Sequence, residues 1–224
     1  MTQTKICGIN TAEALEAAIQ AGTDYIGLVL FPKSPRNVEF DQAEELAELA
    51  RGRVKIVALV VDPGPAMLSV LRNNIRPDIV QLHGHETPDL VERFKRALPG
   101  IALWKAVPVS QQADIEAAET YLDENTRASR LLFDAKPPEN ADLPGGNGLS
   151  FDWRILKGVA SRYPYVLAGG LTPENVAKAI ELTGAAIVDV SSGVETEPGK
   201  KSPELMTRFI MAVKSVTNNE TTAA

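Results

Sequence analysis

The chain has 224 residues, 44% of them apolar, a formal net charge of −6 and a single cysteine, Cys7. That length and apolar share suit one domain with a sizeable core and exclude intrinsic disorder, and no run nears the roughly 20 apolar residues of a membrane span. Lys and Arg never cluster beyond a pair, which argues against nucleic-acid and anionic-membrane partners, and a lone thiol without a visible secretory signal points to the cytoplasm.

In chain order, short apolar runs fall at Lys5–Cys7, Tyr25–Phe31, Val54–Val61, Ile79–Leu82, Ile101–Val107, Leu131–Ala135, Tyr165–Ala168 and Ala185–Val190. They are rich in Val, Ile and Leu and apolar on both faces, as strands of a buried parallel sheet must be. Amphipathic segments lie between them. Asn10 or Thr11 can cap the first helix, which ends before Gly22. Further helices are expected over Gln42–Arg51, Ala66–Asn73, Pro88–Ala97, Gln111–Leu122 and Phe151–Ser161. Thr172-Pro173 and Ser202-Pro203 each set a hydroxyl cap before a proline that opens a helix. Eight strand–helix units, with no Gly-x-Gly-x-x-Gly turn after an early strand, predict an α/β fold: a single-domain (β/α)8 TIM barrel over residues 1–216. Thr217–Ala224, small and polar, is expected to be a disordered tail.

In such a barrel the chemistry sits at the C-terminal ends of the strands. The seventh strand leads into Gly169 and Gly170, and the eighth into Ser191, Ser192 and Gly193. Backbone N–H groups freed by glycine, joined by serine hydroxyls, suit a phosphate. Cys7 ends the first strand, where a nearby cation or dipole can bring a thiol into range as a base. Lys5 shares its face and is expected to fill the barrel floor with its stem. Asp134 interrupts an apolar run, and burial there would raise its pKa and make it an acid. Arg36, in a loop stiffened by two prolines, carries a fork suited to a carboxylate. His83-Gly84-His85 lacks a third ligand at matching spacing, so no metal is expected. In ring order the first and sixth strands flank the seventh and eighth, which sets Cys7 and Asp134 on either side of the phosphate site.

Several segments, running in order over nearly the whole chain, complete the pattern. They are Lys5-Ile6-Cys7-Gly8-Ile9, Phe31-Pro32-Lys33-Ser34-Pro35-Arg36, Gln81-Leu82-His83-Gly84, Phe133-Asp134-Ala135, Gly145-Gly146-Asn147-Gly148 with Phe151-Asp152-Trp153, Leu167-Ala168-Gly169-Gly170-Leu171, and Val188-Asp189-Val190-Ser191-Ser192-Gly193-Val194-Glu195 followed by Pro198-Gly199. With them the chain resembles the phosphoribosylanthranilate isomerases of tryptophan biosynthesis. The resemblance implies an Amadori rearrangement of a small phosphorylated substrate without metal or cofactor, with Asp134 as general acid and Cys7 as general base. It implies Arg36 on the anthranilate carboxylate, with His83 and Asp189 also binding substrate, and Gly169, Gly170, Ser191, Ser192 and Gly193 on the phosphate. The sequence departs from the family's usual pattern at Asn10, Asn147 and Ser202, none of which touches the acid, the base or the arginine. Two rival readings are another phosphosugar isomerase on the same barrel, which would carry aspartate where this chain has Cys7, and an inactive barrel kept as a binding protein. Charged helix faces favour a monomer over a homodimer.

Overall fold

The computed structural model describes residues 1–123, 128–138, 143–146 and 148–222, with side chains to 216. Eight parallel strands close into a barrel: β1 (Gln3–Cys7), β2 (Tyr25–Leu30), β3 (Lys55–Val60), β4 (Ile79–Leu82), β5 (Ala102–Val109), β6 (Arg130–Ala135), β7 (Tyr165–Leu167) and β8 (Ile187–Val190). Each pairs with the next, and β8 pairs with β1 in a register that sets Lys5 beside Asp189. The expected TIM barrel is the observed fold.

Successive side chains of a strand face opposite ways. One set points out and packs beneath the helices, with Ile6, Ile26, Leu28, Leu131, Phe133 and Val188 buried there. The other set fills the barrel in two layers. Val57, Trp104, Leu132, Val166 and Ile187 form the floor. Cys7, Val29 and Leu59 form an upper layer towards the strands' C-terminal ends.

The helices are α1 (Ala12–Ala21), α2 (Phe40–Ala50), α3 (Pro65–Val70), α4 (Pro88–Ala97), α5 (Gln112–Ala118), α6 (Val176–Thr183) and α7 (Pro203–Thr222). Of the two caps weighed for α1, Thr11 serves: its hydroxyl accepts from the Ala14 N–H at 3.1 Å. Asn10 instead donates to the Gly199 carbonyl at 2.9 Å. Ser202 caps α7, accepting from the Leu205 N–H at 3.3 Å.

The expected helix over 151–161 is a correction. Between β6 and β7 run two short 3-10 turns, Trp153–Leu156 and Val159–Ser161. Lys157 is extended and Gly158 takes a φ of +83°, so the hydrogen-bond ladder is cut after one turn. A hairpin that the apolar pattern did not foretell follows β8: β9 (Glu195–Glu197) and β10 (Lys200–Lys201), turning at Pro198-Gly199. Of the stretch expected as a tail, 217–222 carry the last backbone turns of α7, and 223–224 lie outside the described residues, as does Asn147. Among the described residues, no helix is long and apolar enough to cross a membrane.

Candidate active site

A cavity, partly open to solvent, lies at the C-terminal ends of the strands. Its wall brings together Arg36, His83, Asp134, Asp189, Gly169, Gly170, Ser191 and Ser192, all expected from the sequence. The two glycines have φ of +86° and +66°, a left-handed backbone that turns the chain back at the mouth of β7. Gly193 and Cys7 do not line the wall. A methyl on Gly193 would stand 2.0 Å from the Leu171 carbonyl oxygen, so this glycine closes the β8 loop against the β7 loop. Cys7 is 5% exposed and packs with Val29 and Leu59, which are themselves wall residues.

Asp134 comes from β6, whose inward positions are Leu132 and Asp134. Its Oδ1 accepts the Ala135 N–H at 2.8 Å, which leaves Oδ2 towards the cavity. His83 Nε2 stands 3.5 Å from that oxygen. On its other side, His83 Nδ1 lies 2.9 Å from Gln81 Nε2. The contact with Gln81 orients the imidazole so that Nε2 faces Asp134. Gly145 covers this pair: a methyl there would meet His83 Nε2 at 2.4 Å and Asp134 Oδ2 at 2.6 Å. Gln81 is wholly buried in the wall, and its Oε1 has no partner among the described residues.

Arg36 reaches the cavity from the loop after β2, whose turn is held by the Arg36 N–H donating to Ser34 Oγ at 3.1 Å. It is only 6% exposed. Its Nε and Nη2 each donate to the Glu195 carboxylate at 2.8 Å. Lys201 Nζ donates to the same carboxylate at 2.5 Å and to the Ser191 carbonyl at 3.0 Å. Burial would lift the Glu195 pKa, but the bonds from Arg36 and the charge of Lys201 outweigh it, and the carboxyl lies below its ordinary range. Arg36 Nη1 keeps its donors free among the described residues, and it is the nitrogen nearest Gly146 on the cavity side.

Lys5 does more than fill the floor. It is wholly buried, and its ammonium donates to both oxygens of Asp189 at 2.9 and 3.0 Å. Burial pushes the Cys7 thiol pKa up, with Lys5 pulling against it. Burial likewise raises Asp189, again opposed by Lys5. Burial works to neutralise Lys5, yet Asp189 and Cys7 more than offset it and keep the ammonium charged.

His85 turns away from the site: it is exposed and pairs with Asp62 at 3.1 Å. No group of three or more His, Cys, Asp or Glu among the described residues is arranged to hold a metal ion. Beneath the rim, Lys105 and Glu86 form a buried pair at 2.9 Å. Glu86 also accepts the Asp62 and Gly84 N–H groups, which ties the loops after β3 and β4 together.

Sequence reasoning did not assign site roles to Gln81, Gly145, Glu195 or Lys201. Gln81 carried a signal, a polar side chain at an inward position of an otherwise apolar strand. Pro198-Gly199 marked the turn that carries Glu195 and Lys201 back to Arg36.

Comparison with known proteins places this geometry. The chain matches the family described as N-(5′-phosphoribosyl)anthranilate (PRA) isomerase over residues 4–212. It is 52% identical over 212 residues to the N-(5′-phosphoribosyl)anthranilate isomerase of Paramagnetospirillum magneticum, covering 95% of this chain and 97% of that one. The crystal structure of phosphoribosyl anthranilate isomerase from Thermotoga maritima superposes with a TM-score of 0.84 at 34% identity, covering 96% of this chain and all of that one. A solved isomerase in complex with reduced 1-(o-carboxyphenylamino)-1-deoxyribulose 5-phosphate gives 0.80 at 32% identity, with 96% of this chain and 100% of the other covered.

Proposed function

The chain belongs to the N-(5′-phosphoribosyl)anthranilate isomerase family, and on that premise we propose that it converts N-(5′-phosphoribosyl)anthranilate to 1-(2-carboxyphenylamino)-1-deoxyribulose 5-phosphate. The observation that carries this reading is convergence on one cavity. A carboxyl, an anchored guanidinium and two Gly/Ser loops from neighbouring strands meet there, in a chain alike to such isomerases almost end to end.

The loops after β7 and β8 hold the phosphate through backbone N–H groups, with Ser191 and Ser192 beside them. Arg36 Nη1 takes the anthranilate carboxylate. Asp134, protonated at Oδ2, gives its proton to the ring oxygen, the C1′–O bond breaks, and the nitrogen lone pair forms a Schiff base. His83 Nε2 then faces the newly formed carboxylate. Cys7 as thiolate takes the C2′ proton, and the enolamine relaxes to the ketone with no net loss or gain of atoms. Gln81 Oε1 accepts from a ribose hydroxyl. General acid and general base each supply roughly 10²–10⁴-fold, and fixing the substrate at both ends supplies the rest. Substrate must draw Cys7, now beneath the wall, into line with C2′; apo geometry of this kind commonly tightens on binding.

The test is loss of substrate fluorescence on adding purified protein. Turnover supports the reading, and no turnover by intact, folded protein ends it. A cytoplasmic monomer is part of the same proposal. It rests on the charged outer helix faces and on scattered exposed apolar side chains such as Phe40, Leu49 and Met211. Sedimentation velocity decides the oligomeric state.

A further inference from the structure

Lys5 and Cys7 occupy successive inward positions of β1, and Gly27 is the residue that β2 pairs with Cys7. A methyl on Gly27 would stand 2.9 Å from Cys7 Sγ and 3.1 Å from Lys5 Nζ. Thiol sulfur and ammonium nitrogen thus both lie within 3.1 Å of one point, and any side chain at 27 would come between them. Asp189, paired with Lys5 across the β1–β8 seam, fixes the ammonium from the other side with two hydrogen bonds.

We propose that Lys5, clamped by Asp189, is a positioning residue for the Cys7 base: its ammonium is the counter-charge that holds the thiolate in the barrel. This rests on the reading of Cys7 as general base given above. A thiolate in an apolar layer beside Val29 and Leu59 needs such a charge, because an unpaired buried anion is costly. The groups that face Cys7 are few. Lys5 comes from its own strand, Asp189 from β8 and Lys201 from β10. Asp189 in turn feels Asp134 and His83 across the cavity. Of these, Lys5 is the cation that acts most strongly on the thiol, and Asp189 is the anion that tempers it.

Because Cys7 is the only cysteine of the chain, alkylation reports it without interference. Iodoacetamide modification of the full chain is followed by intact mass over a pH series for wild type, Lys5→Met, Asp189→Asn and the double variant. Access to the thiol scales the whole rate curve, whereas charge moves its midpoint. Lys5→Met should move the midpoint to higher pH and slow alkylation at neutral pH by about tenfold. Asp189→Asn should move it the opposite way. The double variant leaves no unpaired buried charge and should follow Lys5→Met, and it decides the matter if the single variant does not fold. The acidic limb of the kcat profile should move with the alkylation midpoint. A wild-type midpoint in both Lys5→Met and the double variant, or shifts of the same sign in the two single variants, would overturn the proposal. Neither outcome depends on turnover, so wild-type protein that alkylates as expected but does not isomerise the substrate refutes the proposed function alone.

Discussion

Arg36 and Glu195 meet through two parallel hydrogen bonds of 2.8 Å, joining the loop after β2 to the hairpin after β8. The fork of a guanidinium matches a carboxylate in this way and loses its rotational freedom in doing so. Arg36 is thereby held in one orientation, with Nη1 left on the cavity side.

Cutting that link therefore tests orientation apart from chemistry. Glu195→Ala keeps Arg36 and its charge but frees the side chain. KM is expected to rise about tenfold with kcat changed less than about threefold, read from steady-state fluorescence assays. A fall in KM would mean that net positive charge outweighs geometry.

Asp134→Asn keeps a side-chain oxygen for the Ala135 N–H but has no acidic proton. Turnover should fall by roughly 10²–10⁴-fold while binding of an unreactive product analogue changes little, measured by single-turnover kinetics and titration. Equal losses in binding and rate would remove Asp134 from the role of acid.

The loops after β3 and β4 depend on a buried ion pair beneath the rim. Lys105→Met would strand the Glu86 carboxylate, wholly buried and tied to the Asp62 and Gly84 N–H groups. Urea unfolding should show a loss of about 3–5 kcal/mol, as for other buried pairs broken on one side. The paired change Lys105→Met with Glu86→Gln should recover part of it.

Alkaline stability has its own marker. Tyr165 is buried, donates to the Thr183 carbonyl at 2.9 Å, and has its pKa pushed up to about 12 by burial. The native chain therefore holds this proton where the unfolded chain, near 10, has released it. That stabilisation is full below about pH 10 and is lost as pH rises through about 12, amounting to about 2–3 kcal/mol. Urea melts of Tyr165→Phe should start weaker at neutral pH and fall less steeply above pH 10 than wild type.

The apolar runs made the eight strands legible, because residues buried on both faces leave little room for other patterns. Ring order then followed from counting, and with it the placing of Asp134, Arg36 and the two Gly/Ser loops around one cavity. The helix expected over 151–161 failed at Gly158, whose left-handed backbone outweighs the helical spacing around it. Lys5 was harder. Its partner stands 184 positions away, and only the closure register brings the two together. Local sequence distinguishes a lysine that packs its stem from one that faces a carboxylate only when the opposite strand is known.

That seam sets an order in time. A chain leaving the ribosome exposes Lys5 and Cys7 first and Asp189 near the end, with Glu195 and Lys201 later still. Until β8 docks beside β1, the ammonium has no carboxylate and the guanidinium of Arg36 no clamp. A product of translation cut short between residues 135 and 187 would thus carry Asp134 but neither the carboxylate that holds Lys5 nor the one that holds Arg36, so the cavity wall is completed by the last elements of the chain instead of growing with length.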